Sequence, residues 1–495
     1  MPDARAQTRR LTILPLVAIV YHEVSGGPFG IERCVEAAGP FLTLLGFAVF
    51  PVVWSLPEAL ITAELCTLFP ENSGYVAWAT AAFGPRVGFV QGFLSWLSGV
   101  ADNALYPVLL VAYAQNGVPG AFDDRGVVRA LLTVFVAVAL TAINYRGIEC
   151  VGWFAVGVVV VVTVPFAALC VIGATSGGMN ASNWTLDREG KPFEPGALSN
   201  VDWRTYLNIL FWNLNYWDSA STLAGEVADP SKTFPRALAG ALGLVYATYL
   251  VPLLVGTGVA AGSADAIARW KEGFFATVAK DVGGWTLVAA LLVSSLASNA
   301  AQFTTEMSSD SYQLAGMAER GLLPAVFANK SKYGTPYIGI LASASGILLL
   351  GFLDFSDVVD ILNLLYVGSI VVEFAAWLVL RYRWETGHAS YAHATTSGGA
   401  VFRIGAPTWA CALMLVPAWT TLAFIVYYSA LSTKVVLILA ILGGFVAHEL
   451  TCRARDGDWC AFVTPVDAPS LEEGNRVADV GGAAPGETSP LIVSV

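Results

Sequence analysis

Charged residues are scarce in this chain of 495 residues. Asp, Glu, Lys and Arg make up 13% of it, whereas an ordinary soluble protein has about 25%. Basic residues are the scarcer kind, with 26 Lys and Arg against 37 Asp and Glu and a formal net charge of -11. This composition excludes a nucleic-acid-binding protein, a disordered chain and a conventional soluble enzyme. Because 56% of the residues are apolar and the mean hydropathy is +0.63, the chain is predicted to be an integral membrane protein.

Cysteine and histidine are also few. The seven Cys are scattered, without a CxxC pair or a spacing typical of metal ligands, and the chain has four His. A disulfide framework and a metal site are therefore not expected. The apolar segments contain no Gly-x-Ser-x-Gly sequence, paired aspartates or histidine cluster, so we expect neither an enzyme nor a bound cofactor.

Twelve segments are long and apolar enough to be membrane-spanning helices, which need about 20 residues each. The positive-inside rule places both termini in the cytosol, because fifteen Lys and Arg then lie in cytosolic segments and nine in outer ones. The predicted spans are residues 12–38, 40–69, 84–115, 126–145, 150–174, 203–227, 235–261, 283–316, 336–352, 357–380, 405–430 and 434–451. The predicted parts are a cytosolic N-terminus (1–10), five helices (11–174), five more (203–380), helices 11 and 12 (405–451) and a disordered cytosolic tail (452–495).

Two predicted spans are interrupted by sequences that cannot form a regular helix facing lipid. Span 1 contains Ser25-Gly26-Gly27-Pro28-Phe29-Gly30, and residues 211–219 of span 6 read FWNLNYWDS. Backbone groups freed by such breaks must be bonded within the protein or line a cavity. Since the breaks are five spans apart, the pattern predicts two inverted repeats of five helices with a binding site at the breaks. A pair of kinks in an ordinary helical bundle is the alternative, but Pro28 explains one break alone.

At these residues the chain resembles the amino acid–polyamine–organocation (APC) transporters. The first break, the sequence AEL…FPENSGY ending span 2 (63–75), GEV…PSK…PRA after span 6 (225–237) and GLLP after span 8 (321–324) are similar to motifs of that superfamily. A closer resemblance, to the polyamine uptake transporters (PUT, also called LAT-type) of plants and protists, rests on residues 21–30, 54–60, 102–107 and 212–218. The resemblance to the APC transporters covers about residues 11–450. The resemblance implies an all-α LeuT-like 5+5 fold, alternating access and proton-coupled uptake of polyamines such as putrescine, spermidine and spermine.

The residues themselves favour a substrate with several ammonium groups. Such a substrate needs carboxylates along a cavity with aromatic faces between them, and acidic residues occur at membrane depth with few basic residues to pair them. The predicted substrate-binding residues are Glu23, Ser25, Gly26, Gly27, Asp102, Asn103, Tyr106, Trp212, Asn215, Tyr216, Asp218, Glu306 and Tyr366.

Three of these acids, Glu23, Glu306 and Asp218, are candidates for carrying the coupled proton. A desolvated carboxyl group holds a proton more tightly and releases it when an ammonium group arrives. Asp218 could instead stabilise the break by accepting backbone N–H bonds, and His22 beside Glu23 could be a partner of the kink or a proton relay.

Other acidic residues have structural explanations. Glu64 and Glu226 lie in helix-end motifs and are expected to form structural or gate hydrogen bonds. Glu373 lies two helical turns before Arg381 and Arg383, and its predicted role is to pair with one of them. The alternative is a place in the binding site, because Tyr366, Ser369 and Glu373 follow helical spacing on span 10. Glu58 follows a proline, and a structural pair and a place in the binding site stay equally open for it.

The alternative function is that of an APC-type transporter of neutral or cationic amino acids. An amino-acid carboxylate would use free backbone N–H groups at the first break, where Pro28 has none. A non-transporting nutrient receptor is disfavoured by the short predicted termini. Residues 116–125 contain no Cys, so we expect no disulfide-linked heavy chain, and we expect a monomer or weak homo-oligomer. The expected location is the plasma membrane, or alternatively the ER, Golgi or a plastid membrane.

Competition for uptake separates the two substrate classes. Spermidine uptake by cells producing the protein should be reduced by unlabelled putrescine and unaffected by excess leucine or arginine, because neither amino acid presents two separated ammonium groups without a carboxylate. Radiolabelled spermidine uptake measures this. Inhibition by either amino acid would favour the alternative.

Overall fold

The computed structural model describes residues 11–117, 127–350, 355–387 and 401–464. Within these ranges the regular elements are helices, and no β-strand occurs. The predicted N-terminal segment 1–10, the predicted loop between spans 3 and 4, and residues 465–495 of the predicted tail lie outside the described residues. The structure confirms the prediction of an all-α chain for the part that it describes.

The described ranges contain sixteen α-helices. A π-helical turn, Pro51–Ser55, joins α2 to α3, and a 3₁₀ helix, Ser219–Glu226, follows α8. The α-helices are α1 (Ile13–Val24), α2 (Glu32–Phe50), α3 (Leu56–Leu68), α4 (Tyr75–Phe83), α5 (Pro85–Gly117), α6 (Val127–Asn144), α7 (Ile148–Thr175), α8 (Trp203–Trp212), α9 (Pro230–Ala260), α10 (Ala264–Ile267), α11 (Phe274–Glu319), α12 (Tyr337–Leu350), α13 (Phe355–Glu385), α14 (Thr408–Met414), α15 (Val416–Tyr428) and α16 (Leu431–Asp456).

Seven of the described helical segments are long and apolar enough to cross a membrane, and three shorter helices are also apolar. The long ones include Ile148–Thr175, Pro230–Ala260 and Leu431–Asp456. α5 has 33 residues but carries buried polar side chains at Gln91, Ser95, Ser98 and Asp102. Their spacing of three and four residues places them on one face of the helix, so α5 presents a polar stripe to the protein interior.

Two long helices change direction at a glycine. Inside α2, Gly39 has φ +80°, and inside α11, Gly284 has φ +67°. A Cβ at Gly39 would lie 2.4 Å from the Asp187 carbonyl carbon, so both the backbone angle and the packing of the loop before α8 require glycine there. The turn at Gly39 falls between the first two predicted spans.

The long helices pack around α11 and α5. α11 packs against α5 and α7, α13 packs against α5, and α1 lies between α7 and α9. The 3₁₀ helix Ser219–Glu226 packs against α11 and α1. This arrangement surrounds both interrupted segments with continuous helices.

The chain beyond α16 is ordered further than predicted. α16 continues to Asp456, and the backbone N–H of Ala325 donates to Ala461 O at 2.8 Å. The predicted start of the disordered tail at residue 452 is therefore too early, because this backbone contact holds the chain against the loop after α11.

A buried ion pair joins α3 to α13. Arg381 Nη1 lies 2.7 Å and 2.6 Å from the two carboxylate oxygens of Glu64, and these side chains are 2% and 0% exposed. Arg381 also donates to the carbonyl of Ile404, whose own N–H donates to Glu64 Oε2. Glu64 therefore has the structural role predicted for it.

The predicted pairing of Glu373 with Arg381 or Arg383 is wrong. Arg381 pairs with Glu64, and Arg383 donates to the carbonyl groups of Ala81 and Ala82. Arg383 bonds carbonyl groups near the C-terminus of α4, and Arg381 bonds carbonyl groups of the segment before α14. Both arginines are therefore used by backbone carbonyls that need donors rather than by Glu373. Glu373 lies instead with acidic residues of the candidate site.

The ion pair predicts a specific pattern of stability. Arg381→Met should lower the free energy of unfolding by about 3–5 kcal/mol, because Glu64 then remains buried without a cation. The double variant Glu64→Gln/Arg381→Met should recover much of this loss, since no unpaired charge remains. Thermal unfolding of the purified variants in detergent measures both, and equal destabilisation of the single and double variants would contradict the explanation.

Candidate functional site between two interrupted helices

The first interruption separates α1 from α2. Residues 25–31 are not helical, and Gly26, Gly27 and Gly30 have φ of +63°, +118° and +80°. A Cβ on Gly26 would lie 2.4 Å from the Gln302 side chain, and one on Gly30 would lie 2.9 Å from the Trp212 ring. The glycines are thus required by backbone conformation and by close packing, and the predicted break in span 1 is confirmed.

The second interruption follows α8. Residues 213–218 are irregular, and the chain continues as a 3₁₀ helix rather than an α-helix. Tyr216 has φ +69°, an uncommon backbone angle for a residue with a side chain. In the amide orientation that satisfies its neighbours, Asn215 donates to the carbonyl groups of Trp212 and Phe211 at 3.0 Å and 3.3 Å. Asn215 therefore closes the end of α8.

Neighbouring side chains bond the polar backbone of both interruptions. Tyr249 of α9 places its hydroxyl 2.9 Å from Asn213 Oδ1 and 3.3 Å from Ser25 O. Ser298 of α11 donates to Gly26 O at 2.6 Å, and Ser55 donates to Leu214 O at 2.7 Å. Tyr249 thus connects the two breaks directly.

Asp102 lies where α5 meets the second interruption. Its Oδ1 accepts from Trp212 Nε1 at 2.8 Å and its Oδ2 accepts from the Tyr106 hydroxyl at 2.5 Å. Asn103, in the orientation that satisfies its neighbours, bonds to the backbone of Phe303 and Met307 on α11. Asp102 is held in place by two donors, whereas Asn103 attaches α5 to α11.

Three further carboxyl groups form the first acidic group together with Asp102: Glu23, Glu306 and Asp310. Ser309 donates to Glu23 Oε1. A Cβ placed on Gly99 would lie 2.2 Å from Asp310 Oδ1 and 2.7 Å from Glu306 Oε1. Since the two oxygens lie that close to one point, they are at most 4.9 Å apart. Gly99, three residues before Asp102, leaves the space that this pair occupies.

A second acidic group lies on the other side of Tyr216 and consists of Glu58, Asp218 and Glu373. The Tyr366 hydroxyl lies 2.8 Å from Glu58 Oε1 and 2.6 Å from Asp218 Oδ1. Glu58 Oε1 also accepts the backbone N–H of Trp217 at 2.7 Å. The carboxyl group that bonds the broken backbone is therefore Glu58 of α3, which belongs to the site.

Tyr216 lies between the two acidic groups. Its ring centroid is 4.4 Å from that of Tyr366, and its hydroxyl is 2.8 Å from Ser98 Oγ, next to Gly99. Its backbone N–H donates to the Tyr366 hydroxyl at 3.3 Å. Tyr216 thus extends from the second acidic group at its backbone to Ser98, beside Gly99 and the first acidic group, at its hydroxyl.

None of the seven carboxyl groups is more than 4% exposed. Within the described part of the chain, no Lys, Arg or His forms an ion pair with any of them. One oxygen each of Glu23, Glu58, Asp218, Glu306 and Asp310, and both oxygens of Glu373, lack a hydrogen-bond donor there. Buried carboxylates without a cation are costly, so the site is suited to bind positive charge.

The structure brings the predicted residues together around the two breaks. Ser25 Oγ accepts the N–H of Gly27 at 3.2 Å, and His22 lies with Nε2 3.2 Å from Ala155 O. The prediction missed Asp310 and Gly99. The four-residue spacing of Glu306 and Asp310 on one helix was the available signal for the first, and no local signal marks Gly99.

One end of the site is closed by polar contacts. Leu11 exchanges backbone hydrogen bonds with Glu226 and Ala228, whose carbonyl and N–H lie 3.0 Å and 2.8 Å from it. Glu226 accepts from Asn72 at 3.1 Å and lies 3.3 Å from Lys330 Nζ. The hydrogen bonding predicted for Glu226 is thus present.

A cavity of about 560 Å³ lies beside the first interruption. Phe29 of the break, Glu32, Ser295 and Trp285 are among the residues that line it. The first break is therefore the part of the candidate site that borders this cavity.

Comparison with known proteins decides the family. A family model described as amino acid permease matches residues 11–447. The chain belongs to this family. As a permease with several membrane-spanning helices, it is a multi-pass membrane transport protein.

Curated relatives cover nearly the whole permease. It is 43% identical over 475 residues to a probable polyamine transporter of Arabidopsis thaliana. The aligned residues are 96% of this chain and 90% of that protein. The permease is 44% identical over 477 residues to the polyamine transporter PUT1 of Oryza sativa subsp. japonica. The aligned residues are 95% of this chain and 85% of that protein. The polyamine transporter RMV1 of Arabidopsis thaliana is 43% identical, covering 94% and 90%.

The bridge between the breaks is testable without knowledge of the substrate. Tyr249→Phe keeps the ring but removes the hydroxyl, whose one hydrogen is shared between the two breaks, and losing this hydrogen bond costs about 1 kcal/mol. We expect a lower unfolding temperature of the purified permease, measured by intrinsic fluorescence. Tyr246→Phe is the control, because Tyr246 is an exposed tyrosine of the same helix. Equal unfolding temperatures for the two variants would contradict a bridging role.

Proposed function

We propose that this permease takes up polyamines by secondary active transport with alternating access. The observation that carries the proposal is the pair of acidic groups beside Tyr216, which are buried and have no basic partner among the residues that the structure describes. The names of its relatives in Arabidopsis thaliana and Oryza sativa subsp. japonica support the same substrate class.

A polyamine supplies the positive charge that the two acidic groups need. It is a flexible apolar chain with several ammonium groups, each able to donate to carboxylates. An ammonium group also binds favourably over aromatic faces, which Trp212, Tyr216 and Tyr366 supply beside the carboxyl groups. Binding would thus offset the cost of burying unpaired acids.

The residues have different roles in this proposal. Glu23, Asp102 and Glu306 bind ammonium groups, together with carbonyl oxygens at Ser25, Gly26 and Gly27. Trp212, Tyr216 and Tyr366 flank the substrate chain. Tyr106, Asn103 and Asn215 position these groups through the hydrogen bonds described above.

The amino-acid alternative is disfavoured by the backbone of the first break. The N–H groups of Ser25 and Gly26 donate to Tyr21 O at 2.9 Å and 3.0 Å, and that of Gly27 donates to Ser25 Oγ. Pro28 has no N–H. These consecutive positions therefore offer no free donor for an amino-acid carboxylate.

The wider architecture forms part of the proposal. Twelve spans in a LeuT-like 5+5 arrangement, cytosolic termini, proton symport and a plasma-membrane location agree with the two breaks and with the positive-inside count. In this topology the contacts of Leu11, Glu226 and Lys330 close the cytosolic end. Their opening would release substrate into the cytosol.

Neutral substitutions in the first acidic group test the site. Asp102→Asn and Glu306→Gln should each raise the KM for spermidine at least tenfold, since loss of one desolvated charge-assisted hydrogen bond costs about 1.5–3 kcal/mol. Radiolabelled putrescine and spermidine uptake into proteoliposomes measures this.

Glu449→Gln is the control, because Glu449 is an exposed carboxyl group of α16, and this substitution should leave KM unchanged. Unchanged affinity in both site variants would refute the site. A wild-type protein that fails to take up either polyamine would refute the function.

A further inference from the structure

We propose that Glu58, Asp218 and Glu373 form the proton-binding site that couples transport to the proton gradient, with Tyr366 as its central hydroxyl. This inference rests on the proposed function. It assigns the coupled proton to the second acidic group, and it adds Glu58 and Glu373, from α3 and α13, to the residues that carry it.

Counting hydrogens supports the assignment. The Tyr366 hydroxyl has one hydrogen, yet its oxygen lies within hydrogen-bonding distance of both Glu58 Oε1 and Asp218 Oδ1. Tyr366 O already accepts the backbone N–H of Tyr216. A single hydroxyl hydrogen makes only one full hydrogen bond, so this geometry favours a proton on one of the two carboxyl groups.

A third carboxyl group extends the cluster. The Glu373 carboxyl group of α13 lies beside that of Asp218. Counted as carboxylates, both oxygens of Glu373 and Oδ2 of Asp218 lack a donor among the described residues. A hydrogen bond between two carboxyl groups exists only when one is protonated. The geometry of the closed site therefore accommodates protons shared among three acids.

The surroundings supply no cation in place of those protons. Glu58, Asp218 and Glu373 are each 0% exposed. The titratable side chains in their neighbourhood are Cys66 of α3, Tyr75 of α4, Tyr216 of the second break, Tyr366 of α13, Glu23 of α1 and Glu306 of α11. In the described part of the chain, all of these are neutral or acidic, so like charges would repel unless protons bind.

The cluster joins a broken segment to continuous helices, which allows its protons to depend on conformation. Glu58 accepts the N–H of Trp217, and Asp218 lies at the end of the irregular segment. Movement of this segment would separate Asp218 from Tyr366 and Glu373 and admit water. Hydrated carboxyl groups then lose their protons to the water on the side to which the site has opened.

Proteoliposomes with an imposed pH gradient test the inference. A gradient of one pH unit coupled to one proton supports about tenfold accumulation of substrate. Glu373→Gln keeps the size of the side chain but cannot exchange a proton. We expect its spermidine accumulation with the gradient to fall to the level reached without it, while exchange of internal for external spermidine stays measurable.

Two further variants keep the test decisive. Glu58→Gln retains an oxygen for the N–H of Trp217 and should show the same loss of gradient response, which covers the case of a Glu373→Gln protein that does not fold. Thr62→Val is the matched control, because Thr62 is buried on α3 one turn from Glu58. It should accumulate spermidine in response to the gradient as the wild type does.

The outcomes separate this inference from the proposed function. No polyamine uptake by the wild type would overturn the proposed function, and this inference with it. Uptake by the wild type that ignores the gradient, or a full gradient response in both Glu373→Gln and Glu58→Gln, would overturn the inference alone. A pH-sensitive dye on the outside gives an independent reading: spermidine addition should make the medium more alkaline for the wild type and not for Glu373→Gln.

Discussion

The cost of an unpaired carboxylate away from water governs this structure. For Glu64 this cost is offset by Arg381, which forms two hydrogen bonds with the carboxylate, and by the backbone N–H of Ile404. The seven acids around the breaks have no such cation in the described part of the chain. Their charge must be balanced by something that comes and goes, either a proton or a positively charged solute.

The interrupted backbone obeys the same requirement. Several carbonyl and N–H groups of the breaks are bonded by side chains from neighbouring helical segments, as with Tyr249, Ser298, Ser55 and Glu58. Such bonds hold irregular chain at membrane depth without a regular helix. Because the partners belong to several helices, a change in one break alters the contacts of the others.

Local sequence predicted much of this arrangement and failed where distant partners decide. Apolar runs indicated the helices, and glycine-rich sequence indicated the first break. The pairing of Glu373 was wrong because Glu64, more than 300 residues before Arg381, competes for that arginine. The 3₁₀ helix after Asp218 follows from packing against α11 and α1, which no local pattern reveals. The roles proposed for individual site residues stay predictions.

Gly99 of α5 affects the electrostatics of the site because it has no side chain. The position of a single missing Cβ lies within 2.7 Å of oxygens from both Glu306 and Asp310. Any larger residue would push these groups apart and dilute the negative charge at this point. The affinity of the site for cations therefore depends partly on a residue that has no charge and no side chain to form a hydrogen bond or contact.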